Sequence, residues 1–224
     1  MTITGGPSLP GGAPGRLLVI ACGAIAREVL AVVRLNGWTN VTLRCLPGKL
    51  HNTPQWIAGR VDEKLREAEA EGWERVFVAY GDCGTGGGLD RVLAAHGAER
   101  LPGDHCYAFF AGVDDWLAMH EAEPRTFYLT DFLCRHFDRF VVEGLRLDEH
   151  PELLPAYFGN YVRLVYLAQS RSPALHRRAR EAAAYLGLSL EVRHTGYGDL
   201  RPALEREAAA ARLAEREAVA GGGG

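Results

Sequence analysis

The sequence predicts an α/β protein: a mostly parallel sheet flanked by helices, Rossmann-like, in one lobe or two. Two observations carry that prediction. Short apolar runs alternate with stretches of helical periodicity, as crossover connections between parallel strands require. Several of those runs are apolar on both alternating faces, which suits strands covered by helices on either side. The composition agrees. Of 224 residues, 47% are hydrophobic and 24% charged, close to the globular average and far from that of a disordered chain.

In chain order, residues 1–15 are rich in Gly, Pro and Ser and read as a flexible leader. Residues 16–21 form the first strand, an apolar run after Arg16, and a helix follows over 24–36. Residues 41–46 make a second strand, with Val41, Leu43 and Cys45 on one face at period two. A helix over 54–70 has a charged outer side, a third strand occupies 75–80, and a Gly-rich loop leads into a helix over 89–96. The order then loosens: a short strand at 99–102, helix from the middle of 107–119 onward, and a strand at 126–129. Helices over 131–142 and 151–158 precede another buried strand at 163–168. Ser172 as N-cap and Pro173 at the first helical position open a helix to 186. The last strand is 188–193, and an Ala/Glu/Arg-rich helix over 200–219 either docks or floats before the Gly tail. The division expected is a leader (1–15), a single α/β domain (16–200), and a C-terminal helix with tail (201–224).

Composition also narrows the function. A net charge of −3 gives no reason to expect nucleic acid, and no apolar run approaches the ~20 residues that span a bilayer. The N-terminal stretch lacks the basic and apolar regions of a secretory signal, so a reducing cytoplasm is expected. Five cysteines there are more reasonably buried, metal-bound or reactive than paired in disulfides.

In open parallel sheets, function gathers at the carboxyl ends of the strands. Cys22 ends the first strand, His51 follows the second, Cys83 follows the third, and His105 and Cys106 lie in the next loop. Three thiolates with a nearby imidazole form the ligand set expected of zinc or an iron–sulfur cluster. Cys22, His51, Cys83 and Cys106 are therefore the metal candidates, with His105 as the alternative imidazole. Cys45 lies mid-strand and Cys134 shares a helix face with Phe137 and Val141, so both read as core. In the loop over 80–88, backbone N–H groups around Gly84, Gly86 and Gly87 can form a nest for a phosphate, a carboxylate or cluster sulfides. Such donors would also lower the Cys83 pKa. The loop has neither the Lys-Ser/Thr of a Walker motif nor Rossmann glycine register. Cys83 as nucleophile, His105 as acid or base and Asp82 complete a catalytic set; Asp82, Asp104 and Asp199 are the carboxylates at this edge placed either to orient a ligand or to act as general bases. His96 and His120 read as helix-end residues, and the basic face around His176 as solvated.

Several segments together resemble an uncharacterised family, domain of unknown function 1638. They are Ala21-Cys22-Gly23 through Arg27-Glu28, Leu50-His51-Asn52-Thr53-Pro54, Tyr80-Gly81-Asp82-Cys83-Gly84, and His105-Cys106 with the apolar run after it. Residues 126–130 and 163–166 fit the pattern too, and the likeness covers roughly 16–200. It implies a place beside corrinoid-dependent methyltransferase systems of one-carbon metabolism. The family more often shows His-Asp-Cys where this chain has Asp104-His105-Cys106, so the resemblance carries over Cys22, His51, Cys83 and Cys106. The function expected is an enzyme or accessory factor with a Cys/His-held zinc or iron–sulfur centre. A non-catalytic metal carrier or regulatory binding protein, and a metal-free enzyme with Cys83 as nucleophile, are the alternatives.

Overall fold

The computed structural model describes residues 2–4 and 14–221; the rest of the expected leader and of the Gly tail lies outside the described residues. The chain divides into two compact units, Met1–Phe109 with Tyr197–Gly224, and Phe110–Gly196. The strands are correspondingly shared between two sheets.

In the first unit, β1 (Thr2–Thr4), β2 (Leu17–Cys22), β3 (Val41–Leu46), β4 (Val76–Ala79) and β5 (Glu99–Arg100) assemble in the order β1-β3-β2-β4-β5. All pairings are parallel except that of β1, which runs antiparallel to β3. Thr2–Thr4 thus forms an edge strand inside the stretch expected to be a leader. All six residues of β2 are buried, and Leu17, Leu18, Val19 and Ile20 have no exposed surface. Each such side chain contributes about 2 kcal/mol of apolar burial. Helices α1 (Ala26–Leu35), α2 (Ile57–Ala70) and α3 (Gly88–His96) connect the parallel strands. Helix α4 (Cys106–Ala111) follows β5. The C-terminal helix docks: α9 (Leu200–Gly221) buries Leu200, Ala203, Leu204, Ala208 and Ala211 and packs against α1 and β2. Its buried Glu207 pairs with Arg75 at 2.9 Å.

The chain leaves β2 for β3 on one side, while β4 adds on the other. The strand order therefore reverses between β2 and β4. Connections there diverge, and in open α/β sheets that is the place where ligands generally bind.

The second unit carries α5 (Val113–Ala122), β6 (Thr126–Leu129), α6 (Asp131–Arg135), α7 (Leu154–Phe158), β7 (Arg163–Ala168), α8 (Pro173–Leu186) and β8 (Ser189–His194). Its sheet, β6-β7-β8, is parallel throughout. It has its own core, in which Leu129, Cys134, Phe137, Leu164, Tyr166 and Ala179 are prominent. The helix expected over 131–142 is interrupted: α6 ends at Arg135 and a π-helical turn occupies Asp138–Val142. The segment over 107–119 likewise divides, at Gly112, whose φ is +88°. Ser172 caps α8 as its sequence indicates, accepting the Leu175 N–H at 3.4 Å. Asp131, buried at the end of β6, accepts the Tyr166 hydroxyl (2.6 Å), the Gln169 N–H (3.1 Å) and the Ser170 hydroxyl (2.5 Å). Its own N–H donates to the Gln169 side chain at 2.7 Å, so two strand ends are tied through one carboxylate.

Among the described residues, no helix is long and apolar enough to cross a membrane.

Candidate metal and thiol site

The reversal between β2 and β4 is occupied by sulfur. Cys22 is the last residue of β2, buried, and its Sγ accepts the Ala24 N–H at 3.4 Å where the strand turns into a short 3-10 helix. A Cβ on Gly23 would stand 2.9 Å from the Leu46 carbonyl oxygen, so only glycine lets this turn lie against the end of β3. That close approach brings in the 3-10 turn Gly48–Asn52 and with it His51. The His51 Nδ1 lies 3.7 Å from the Cys22 Sγ and 3.3 Å from the Gly48 carbonyl oxygen. The residue is exposed on its outer side, yet desolvation on the inner side lowers its pKa. A neutral imidazole at the rim suits ligation.

Cys83 sits past β4 with φ at +53°, the left-handed region that a side chain rarely adopts. The strain is held by a lacing of two loops. The Asp82 N–H donates to the Gly103 carbonyl (3.1 Å) and the Cys83 N–H to the Asp104 carbonyl (2.5 Å). A Cβ on Gly81 would come within 2.9 Å of the His105 nitrogen, so glycine is required at this contact too. Arg100, paired with Asp90 at 2.6 and 3.0 Å, also donates to the Leu101 and Gly103 carbonyls and fixes the second loop from behind. Cys106 opens α4 directly after it.

The thiols sense one another. Burial and then the neighbouring Cys22 push the Cys83 pKa up to about 12. Burial raises Cys22 to about 11, against a backbone hydrogen bond and the Tyr80 hydroxyl, which lower it. Cys106 is pushed well above the ordinary thiol value by burial, then by Cys83 and Cys22. The lowered Cys83 pKa expected of the Gly-rich loop is therefore not found. Burial outweighs the one backbone donor that lowers it, Gly81, and the loop's further donors are turned to Asp82. The Asp82 carboxylate accepts the Thr85 hydroxyl (2.5 Å), the Gly87 N–H (3.0 Å) and the Gly86 N–H (3.1 Å). Burial alone would raise the Asp82 pKa, but these bonds and the Arg100 charge bring it below the usual carboxylate value. The nest thus contains an anion supplied by the chain, while Gly84 lies against Pro54.

Cys22, His51, Cys83 and Cys106 accordingly lie on the four segments that follow β2, β3, β4 and β5, with Cys22 and His51 the pair in contact. The His105 ring packs 5.5 Å from Tyr107, tilted by 55°. Cys45 is half-buried within β3, and Cys134 is fully buried in the core of the second unit. Two residues that the sequence offered only as members of the family motifs, without a role of their own, stand beside these thiols. Tyr80 is 1% exposed with its hydroxyl beside Cys22, and Glu28, buried in the first turn of α1, acts electrostatically on Cys106. A charged side chain in the inner face of an amphipathic helix was the available signal for Glu28. As the side chains stand, no three His, Cys, Asp or Glu among the described residues are grouped closely enough to hold a metal ion. The donor chemistry, soft sulfur with imidazole, nevertheless suits a soft cation.

Comparison with curated proteins and with solved structures returns no match. A family model does match, over residues 45–204, a stretch that includes His51, Cys83 and Cys106 and begins after Cys22. The sheet-edge thiols, the laced loops and that match lead to one assignment: the chain belongs to the family described as Protein of unknown function (DUF1638).

Proposed function

We propose that the carboxyl edge of the first unit's sheet is a metal centre, zinc or an iron–sulfur cluster, ligated by Cys22, Cys83 and Cys106 with His51. On this reading the protein is a metal-dependent enzyme or accessory factor of methyl-group or one-carbon metabolism, working beside a methyltransferase or corrinoid system. The observation that carries the proposal is the placement of three thiols and an imidazole on the segments after successive strands, next to the reversal of strand order between β2 and β4, with His51 on Cys22 at 3.7 Å. The methyl-transfer association rests on the family resemblance.

Bound zinc would supply Lewis-acid activation of a thiol or water, and a cluster would supply electron transfer or an open iron. The chain's own residues have separate tasks. Asp82 holds the Cys83 loop in its strained turn through Thr85, Gly86 and Gly87. His105, in the loop laced to Gly81, is the candidate acid or base. Loading must draw the sulfurs closer than they stand, and must overcome their preference for the neutral thiol. The exposure of His51 at the rim favours a second reading, a carrier that passes its ion on.

Anaerobically purified protein, analysed for elements per chain, tests the proposal. Stoichiometric iron or zinc that is lost in a Cys22→Ser, Cys83→Ser, Cys106→Ser triple variant is the expected result. Metal-free protein that also fails to load sinks it, and rapid alkylation of Cys83 alone would then favour the nucleophile. Release to a chelator within seconds, fold retained, would favour the carrier over the enzyme.

A further inference from the structure

Tyr80 follows Ala79, whose register partner on β2 is Ala21. The chain leaves β4 at this point, the Tyr80 N–H turning back to the Val78 carbonyl at 2.9 Å, so Tyr80 stands one residue past the last ladder pair on β4, as Cys22 does on β2. The side chain is 1% exposed, and its hydroxyl meets no hydrogen-bond partner of ordinary geometry. Buried polar groups without partners are rare in native proteins and call for an explanation. Phenylalanine would fill nearly the same volume without leaving a polar atom unsatisfied, so packing alone does not account for tyrosine here. The polar group nearest in electrostatic terms is the Cys22 sulfur, with Cys83 next. A neutral thiol is a weak acceptor, whereas an anionic sulfur is a strong one.

We propose that Tyr80 is a positioning residue of this centre: its hydroxyl donates a hydrogen bond to the Cys22 sulfur and holds that sulfur as a ligand. The inference rests on the metal reading above and adds to it a donor that tunes one ligand. Donors to a ligating sulfur withdraw charge from it and orient it, and their loss typically weakens metal affinity by about tenfold or more.

Cobalt(II) alone is the probe. Wild-type protein titrated with cobalt should develop a thiolate-to-cobalt charge-transfer band. In Tyr80→Phe the band should move to lower energy and the cobalt affinity should fall about tenfold. The melting temperature of the metal-free variant should stay level or rise, because an unsatisfied hydroxyl has gone. A variant that melts lower while the band and affinity stay put shows a structural role and overturns the proposal. Failure of the metal reading is read separately, as wild-type protein that takes up no cobalt. In that case the S–H stretch of Cys22, identified by its loss in Cys22→Ser, decides the contact in the metal-free protein. A shift of that stretch in Tyr80→Phe upholds the hydrogen bond, and an unchanged stretch overturns it.

Discussion

At position 83 a cysteine occupies backbone geometry that glycine would accept without cost. A left-handed residue with a side chain carries about 1 kcal/mol of strain. Cys83→Gly should therefore unfold later than Cys83→Ala by about that amount in the metal-free protein, as measured by denaturant midpoint. An equal midpoint for the two would show that the φ of +53° is not a source of strain. Asp82 is the counterweight. Asp82→Ala leaves two amides and a hydroxyl of the loop unpaired and should cost about 1–3 kcal/mol. Because the folded-state pKa of Asp82 is depressed, its contribution is present above the usual aspartate pKa and is lost as pH falls through the folded value. The variant should accordingly lose less stability on acidification than wild type. At this scale the sequence made readable where the cysteines lie, Cys22 at the end of β2 and Cys83 and Cys106 in the segments after β4 and β5. It was not readable where a residue acts on its neighbours. The bonding of Asp82 to Gly86 and Gly87 depends on a turn that no periodicity encodes.

Elements were legible in proportion to their local order. The runs giving β3, β6 and β7 and the Ser-Pro start of α8 are written directly in residue type, and their bounds follow it. The interruptions at Gly112 and between α6 and the π-helical turn are not, since the apolar spacing continues through both. One contact between elements gives a pH-dependent test. His96, at the end of α3, bridges two carboxylates of α2, Glu69 at 2.5 Å and Asp62 at 2.8 Å. These hydrogen bonds raise its pKa, so the bridge stabilises fully below the ordinary histidine value and is lost as pH rises through the folded one. Thermal unfolding of wild type and His96→Gln should differ near pH 6 and converge by pH 9. The difference is no more than ~1 kcal/mol, given the exposure of Glu69. On α9, Leu204 has no exposed surface, and Leu204→Ala should cost about 2–4 kcal/mol by denaturation.

For the whole molecule, the α/β class was legible because alternation of strand and helix is a property of the chain as a whole. Which strands share a sheet was not, since nothing within the segment 126–129 tells it to pair with 163–168 and not with β5. The charge state of the thiols belongs to this scale too. Burial raises the pKa of Cys22, Cys83 and Cys106, and the neighbouring thiols add to the rise at Cys83 and Cys106. On the metal reading, each ion taken up must expel their protons, so zinc affinity should rise by about tenfold per pH unit for each ligating thiol. Calorimetry in buffers of different ionisation enthalpy measures that release directly. Uptake without any proton release would exclude thiol ligation.

The first unit is discontinuous: its sheet lies ahead of the 87-residue second unit in the chain, and the helix α9 that covers α1 and β2 lies after it. During synthesis the second unit, being continuous, has all its strands before the ribosome reaches α9. The thiol-bearing sheet has to wait for its cover, with the apolar faces of β2 and α1 open in the interval. Completion of this scaffold is thereby tied to the synthesis of α9, and a nascent chain stalled within the second unit would hold its sulfurs on an unfinished sheet.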